Sequence, residues 1–228
     1  MTTHADSRVV FAHVPHTAGR AAKRYLWIHY PQKHISIHTP EDIDQLTIAA
    51  HAYLRYFVLR DPVHRIIAEY LHYSVTLSDP TGGRIGYLSL DDARKQLPSF
   101  NPSNLLDYVR LPITNDVCCK LLLLRTDWNK PISAEEYQTL LRLVSLGIVK
   151  HDPYVVPMRY TQLATLFSVD VCGFNSGIDE LSRASYRIDP LNEARRRVLL
   201  EAPGVEELIK SRNRYDCLLY DYLIFKSV

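Results

Sequence analysis

Two short segments of this 228-residue chain carry residue types that could hold an anion. The first runs Phe11-Ala-His-Val-Pro-His16-Thr17-Ala18-Gly19-Arg20-Ala21. A turn of small residues between a strand and a helix exposes successive backbone N–H groups at the positive end of the helix dipole, which suits phosphate or sulfate. The pattern GxxxxGK[ST] is absent, so a P-loop NTPase is disfavoured. Thr17-Ala18-Gly19 is also explained by a plain N-cap followed by close helix packing. The second segment is Tyr56-Phe-Val-Leu-Arg60-Asp61-Pro62-Val-His-Arg65. An arginine at the end of a buried strand offers a planar fork of donors matched to phosphate. The competing reading is that Arg60 pairs with a carboxylate and ties the turn together.

Both segments need elements to position them. Val9-Val-Phe-Ala12 is a compact apolar run of strand length. Behind it, Ala18, Ala21, Ala22, Tyr25 and Leu26 share one helix face. His34–Ile37 and Thr47–Ala50 read as strands, with a short helix at Glu41–Leu46 between them. Tyr56–Leu59 is the clearest strand, four bulky residues of high β-propensity. It runs into Asp61 as N-cap and Pro62 as first helical residue, followed by an apolar face of Val63, Ile66, Ile67, Tyr70 and Leu71. Strands alternating with helices predict an α/β fold with a parallel sheet flanked by helices. Ligands of such sheets sit beyond the carboxyl ends of the strands, where both segments fall.

The second half reads as mostly helical. Ser133-Ala-Glu-Glu136 is a capping box opening a helix that stops near Gly147. Further helices are expected near 103–110, 114–124, 154–167, 191–201 and 205–226. The stretch Ser78–Ser103, with three glycines and three prolines, reads as a lid or acceptor-side loop, or as disorder.

Composition excludes several classes. Lys plus Arg is 27 against 25 Asp plus Glu, a formal charge of +2, too balanced for a nucleic-acid or membrane-surface binder. Hydrophobic residues are 46% and charged residues 23%, which excludes disorder and supports one domain over 1–228. No apolar run is long enough to span a membrane. The start, MTTHADSRVV, shows no basic residues followed by an apolar stretch, and a cytoplasmic protein is expected. Cys118, Cys119, Cys172 and Cys217 are too sparse for a disulfide framework and read as reduced, buried thiols. His13-x-x-His16 and His34-x-x-x-His38 are close histidine spacings without a third ligand, so no metal is expected. Arg195-Arg196-Arg197 is either a solvated helix face or a path for an anionic substrate.

Together the two anion-binding segments resemble the sulfotransferases, closest to the carbohydrate-type branch of heparan sulfate O-sulfotransferases and their bacterial relatives. The family pattern PKTGGT appears as Pro15-His16-Thr17-Ala18-Gly19-Arg20, and RDPxxR as Arg60-Asp61-Pro62-Val63-His64-Arg65. Asn213-Arg-Tyr-Asp216-Cys-Leu-Leu-Tyr220 is similar to the N-x-x-D-x-x-L-Y ending of that branch. Asn115–Leu122 is aligned loosely with its central helix. The resemblance implies the sulfotransferase type of P-loop-like nucleotide-binding fold. It implies transfer of a sulfuryl group from 3′-phosphoadenosine 5′-phosphosulfate (PAPS) to a hydroxyl or amine of a carbohydrate or small-molecule acceptor, leaving adenosine 3′,5′-bisphosphate. His16, Thr17, Ala18, Gly19, Arg20 and Ala21 would then face the 5′-phosphosulfate, and Arg60 the 3′-phosphate.

Three positions depart from the family. His16 replaces the lysine that neutralises the leaving group, and a histidine, of ordinary pKa roughly 6.5, does this only when protonated. Arg20 replaces a threonine and adds a cation, and Ala68 stands where a 3′-phosphate-binding serine is expected. A base is also needed for the acceptor hydroxyl. Some family members place a histidine between the two motifs, and His51 occupies that interval, although a surface histidine after a strand reads the same way. Glu69 and Asp61 are weaker candidates, Asp61 being the expected cap. The alternative to an enzyme is a non-catalytic nucleotide-binding or interaction protein that keeps the fold. Acceptor identity and oligomeric state have no signature here.

Overall fold

The computed structural model describes residues 9–17, 34–46, 54–77, 87–153 and 190–226. Four strands form one all-parallel sheet: β1 (Val9–Ala12), β2 (His34–Ile37), β3 (Leu54–Leu59) and β4 (Val149–Pro153), in the order β2-β1-β3-β4. Val9 lies opposite both His34 and Leu54, which sets β1 between β2 and β3. Arg55 of β3 pairs with Val149, and the register continues to Leu59 opposite Pro153. The central strands bury almost every side chain: Val10, Phe11, Phe57 and Val58 are all inaccessible or nearly so. Unbroken apolar runs are what a strand covered on both faces requires.

The helices among the described residues are α1 (Pro40–Asp44), α2 (Pro62–Leu77), α3 (Leu90–Gln96), α4 (Leu105–Arg110), α5 (Val117–Leu122), α6 (Ala134–Ser145), α7 (Pro190–Glu201), α8 (Val205–Arg212) and α9 (Arg214–Lys226). The expected α/β architecture with a helix-flanked parallel sheet is the one observed. The capping box at Ser133 is formed, with Ser133 Oγ accepting from Glu136 N and Glu136 Oε2 from Ser133 N. Asp61 caps α2 as read, its Oδ1 accepting from His64 N at 2.9 Å. Gly147, past the end of α6, has φ +70°, the left-handed conformation expected of a helix stop.

Three elements differ from the sequence reading. Strand β4 was hidden in a half read as mostly helical. Val-Lys-His-Asp-Pro holds too few apolar residues for a buried-strand signature, and as an edge strand it needs fewer and tolerates Pro153. Within the stretch Ser78–Ser103, residues 87–103 hold α3, capped by Ser89 Oγ accepting from Asp92 N, and bury Tyr87, Leu88 and Phe100. The single helix expected over 205–226 is two, α8 and α9, broken at Asn213. The strand expected at Thr47–Ala50 and the helices expected over Ala18–Leu26 and 154–167 lie outside the described residues. Cys118 and Cys119 are free and buried, and Cys217 is free and half-buried. No helix among the described residues is long and apolar enough to cross a membrane.

The break at Asn213 has a physical cause 97 residues away in sequence. Asn213 Oδ1 accepts from Asp116 N at 3.0 Å, while its Nδ2 donates to Ile209 O at the end of α8. Asp116, the N-cap of α5, accepts on Oδ1 from Tyr215 N and Asp216 N, the first turn of α9. Asp216 returns the arrangement, accepting from Cys118 N and Cys119 N in the first turn of α5. Each helix start is therefore capped by the other's aspartate, satisfying donors that would otherwise be buried without partners.

Candidate anion-binding site

In a sheet ordered β2-β1-β3-β4, the chain leaves β1 toward one side for β2 and returns to the other for β3. The strand order reverses between β1 and β3, and the crevice beyond their carboxyl ends is where open α/β sheets bind ligands. Both sequence motifs leave the sheet at this crevice. After β1, His13 N donates to Ile37 O, Val14 N turns back onto Ala12 O, and the chain bends through Pro15-His16-Thr17. His16 has φ +58°, a left-handed conformation uncommon for a residue with a side chain, of the kind that turns successive N–H groups into an anion-binding concavity. Thr17 is buried, and its hydroxyl donates to Val14 O at 2.8 Å, which holds the turn closed.

After β3, Arg60 reaches across the crevice and donates from Nη1 to the carbonyl of His16. This bond ties the turn together, as the competing reading of Arg60 expects, through a backbone carbonyl. The backbone bend and the cation stand on neighbouring strands, joined by one hydrogen bond. Beneath them lies a small cavity of about 10 Å³ lined by Thr17, Arg60, Pro62, Arg65, Cys118 and Asp216 among others.

His16 is half-buried, with its ring 5.2 Å from that of His72 and 6.5 Å from that of Tyr73 on α2. Ala68, in the position of the expected serine, is on the same helix and half-buried. Ala18, Gly19, Arg20, Ala21 and His51 lie outside the described residues.

Glu69 is no base for an acceptor. It is wholly buried, paired with Arg65 Nη1 at 2.6 Å and hydrogen-bonded by the Tyr87 hydroxyl. Burial pushes its carboxyl up, against the pull of Arg65. Arg65 also faces Asp216 at 3.6 Å; burial disfavours its charge, but these two carboxylates outweigh it and hold the guanidinium protonated. Tyr87 and Tyr108 are pushed up by burial and then by Glu69, so both remain neutral phenols. RDPxxR thus divides its labour: Arg60 at the crevice, Asp61 as cap and Arg65 in the buried network.

The structure adds a histidine that the motif reading passed over. His38 follows β2 directly, half-buried, with its ring 4.5 Å from that of His13. Its Nδ1 lies 2.9 Å from His13 O. A carbonyl only accepts, so Nδ1 carries the hydrogen and Nε2 of the neutral ring keeps a lone pair. The backbone is held as firmly: His38 N and Thr39 N both donate to Asp42 Oδ2, within the capping box of α1. A histidine immediately after a strand that flanks β1 in a parallel sheet must stand at the same edge as the turn, and that is the signal that would have found it.

No family model, curated protein or solved structure matches the chain.

Proposed function

We propose that the chain is a PAPS-dependent sulfotransferase of P-loop-like fold, moving a sulfuryl group to a hydroxyl or amine of a carbohydrate or small-molecule acceptor. The observation that carries this reading is the meeting of Arg60 with the His16 turn at the point where the strand order reverses. A left-handed turn after β1 and a strand-end arginine after β3 are the two parts a 5′-phosphosulfate and a 3′-phosphate need, and they stand side by side. The left-handed turn at His16 and the Arg60 cation support a bound phosphate-bearing donor by their chemistry.

The donor supplies an activated sulfuryl group whose departure leaves adenosine 3′,5′-bisphosphate. The chain's own residues supply the rest. Backbone N–H groups of the His16–Thr17 turn orient the 5′ end, and Arg60 holds the 3′-phosphate. His16, when protonated, places an imidazolium beside the oxygen on which charge develops, a contact stronger in the transition state than in the ground state. His38, whose Nδ1 faces the His13 carbonyl at the strand-end edge, leaves Nε2 as a candidate lone pair for the acceptor proton. His51, suggested by its place between the motifs, is the second candidate for that proton. The replacement of the motif lysine by His16 favours one other reading, a nucleotide-binding protein without transfer activity.

The test is titration with adenosine 3′,5′-bisphosphate followed by sulfate transfer from PAPS to a panel of sugars, phenols and amines. Binding and transfer support the enzyme. Binding with no transfer on any acceptor supports the non-catalytic reading. Absence of binding refutes both.

A further inference from the structure

Five buried charged side chains lie behind the anion site, and their signs do not balance. Glu69, Asp116 and Asp216 are exposed by 0%, 5% and 3%, and the cations among them are Arg65 at 2% and Lys120 at 0%. Two other buried charges among the described residues stand apart in their contacts: Arg55 donates to Leu122 O at the far end of α5, and Asp107 pairs with the exposed Arg110. Among the described residues, these three carboxylates meet two cations, and a buried carboxylate with no charged partner costs several kcal/mol unless a proton cancels it.

The hydrogen bonds show which carboxylate lacks cover. Glu69 holds Arg65 at 2.6 Å, and Asp216 has Arg65 Nη2 at 3.6 Å in addition to two backbone donors. Lys120 spends its ammonium on Pro112 O and Trp128 O. Asp116 is bonded by the N–H groups of Tyr215 and Asp216, not by a charged side chain, and those same bonds tie it to the Asp216 turn. The titratable and charged groups around the two aspartates are Arg65 and Glu69 from α2, Cys118, Cys119 and Lys120 from α5, Tyr137 from α6, Cys217 from α9, and Asp61 at the start of α2. Burial and then the Asp216 carboxylate, opposed by the two backbone donors and Lys120, push Asp116 up to about 7.

Asp216 lines the same small cavity as Thr17 and Arg60, so the buried pair adjoins the anion site. A charge placed there acts on the pair with little screening, and a like charge favours the protonated carboxyl. We propose that Asp116, buried against Asp216, is a proton-binding site coupled to anion binding: when a phosphate-bearing nucleotide enters the crevice at Arg60 and the His16 turn, one proton is taken up on Asp116. The inference rests on the reading of that crevice as the bisphosphate site. Proton uptake makes binding tighter at lower pH, with a limit of about tenfold in Kd per pH unit for one fully linked proton. His16 and Lys120, whose ammonium burial pushes down to about 8, contribute separate linkages of the same sign, so the test must remove the Asp116 proton and keep the others.

The experiment is calorimetric titration of adenosine 3′,5′-bisphosphate at pH 7.5 in buffers of different ionisation enthalpy, for the full chain, Asp116→Asn and His16→Ala. Asparagine keeps an oxygen that accepts from Tyr215 N and Asp216 N but cannot take up the proton. The expected result is lower proton uptake in Asp116→Asn than in the wild type, a flatter rise of Kd with pH, and nearly equal Kd at pH 6. His16→Ala should retain the uptake assigned to Asp116. Equal uptake in wild type and Asp116→Asn overturns the proposal. Should Asp116→Asn fail to fold, infrared difference spectra of the wild type decide: a protonated-carboxyl C=O band that grows on nucleotide addition supports the linkage, and its absence refutes it. A wild type that binds no bisphosphate refutes the site reading and the linkage with it, whereas binding without uptake refutes the linkage alone.

Discussion

Replacing Arg60 by alanine separates a phosphate contact from a structural tie, because the two roles affect different nucleotides. Arg60 stands at the carboxyl end of β3, half-buried, and its Nη1 binds the His16 carbonyl. Losing that hydrogen bond loosens the turn by about 0.5–1.5 kcal/mol, a cost felt by any ligand the turn holds. Losing the cation facing a 3′-phosphate removes a further charge contact. Truncating a buried partner of this kind costs about 2–5 kcal/mol, and partial exposure of Arg60 sets the expectation at the lower end, about 2–3 kcal/mol. At about 1.4 kcal/mol per tenfold, adenosine 3′,5′-bisphosphate should bind roughly 30- to 150-fold more weakly. Adenosine 5′-phosphate, with no 3′ group, should lose no more than about tenfold, the share of the turn alone. Arg60→Lys should fall between, since it keeps a charge but not the planar fork. Isothermal calorimetry on both nucleotides reads the difference directly. Equal losses would show that Arg60 only braces the turn and would remove the 3′-phosphate from the assignment.

The other predictions concern chemistry and the buried network. Transfer should fall as pH rises through the pKa of His16, because only the imidazolium stabilises the leaving phosphate; His16→Lys, protonated up to a pKa of roughly 10.4, should move that alkaline limb upward in a pH–rate profile. His38→Ala should lower turnover by about 10²- to 10⁴-fold with nucleotide affinity nearly intact, and the same loss in His51→Ala with none in His38→Ala would transfer the base to His51. Arg65→Met should destabilise the fold by about 3–5 kcal/mol in urea unfolding, since Glu69 and Asp216 lose their buried cation. The sign follows from Glu69, whose carboxyl already lies above its unfolded value and would rise further without Arg65. The folded variant then holds protons that the unfolded chain releases, so its deficit should be small at acidic pH and widen as pH climbs past the ordinary carboxylate range. A deficit independent of pH would mean that packing, not charge, explains the loss.

How much of this was legible in the sequence depends on whether a feature rests on local pattern or on pairing across the chain. β1 and the end of β3 were readable because a buried parallel strand must be an apolar run, as VVFA and YFVL are, while β2, at one edge of the sheet, shows the polar–apolar alternation HISI. β4 escaped because an edge strand is released from that requirement, and its Lys-His-Asp-Pro tail has the composition of a loop. The positions of His16 and Arg60 at strand ends were equally local. Their contact was not, for it requires β3 to lie beside β1 and not beyond β2, a choice that no single strand encodes. His38 follows the same logic: its place after β2 was visible, but its value as a proton acceptor depends on the His13 carbonyl across the sheet edge. Asn213-x-x-Asp216 was visible as a spacing, and Asn115-Asp116 as a helix start, yet neither shows the other. Only when α5 and α9 meet start to start do Asn213, Asp116 and Asp216 become mutual caps, and only then do the described residues gather one more buried carboxylate than Arg65 and Lys120 cover. That surplus belongs to no motif. It arises from packing two capped helix starts against Arg65, and it places the proton-binding group behind the anion site, where a sequence search for catalytic residues has no reason to look.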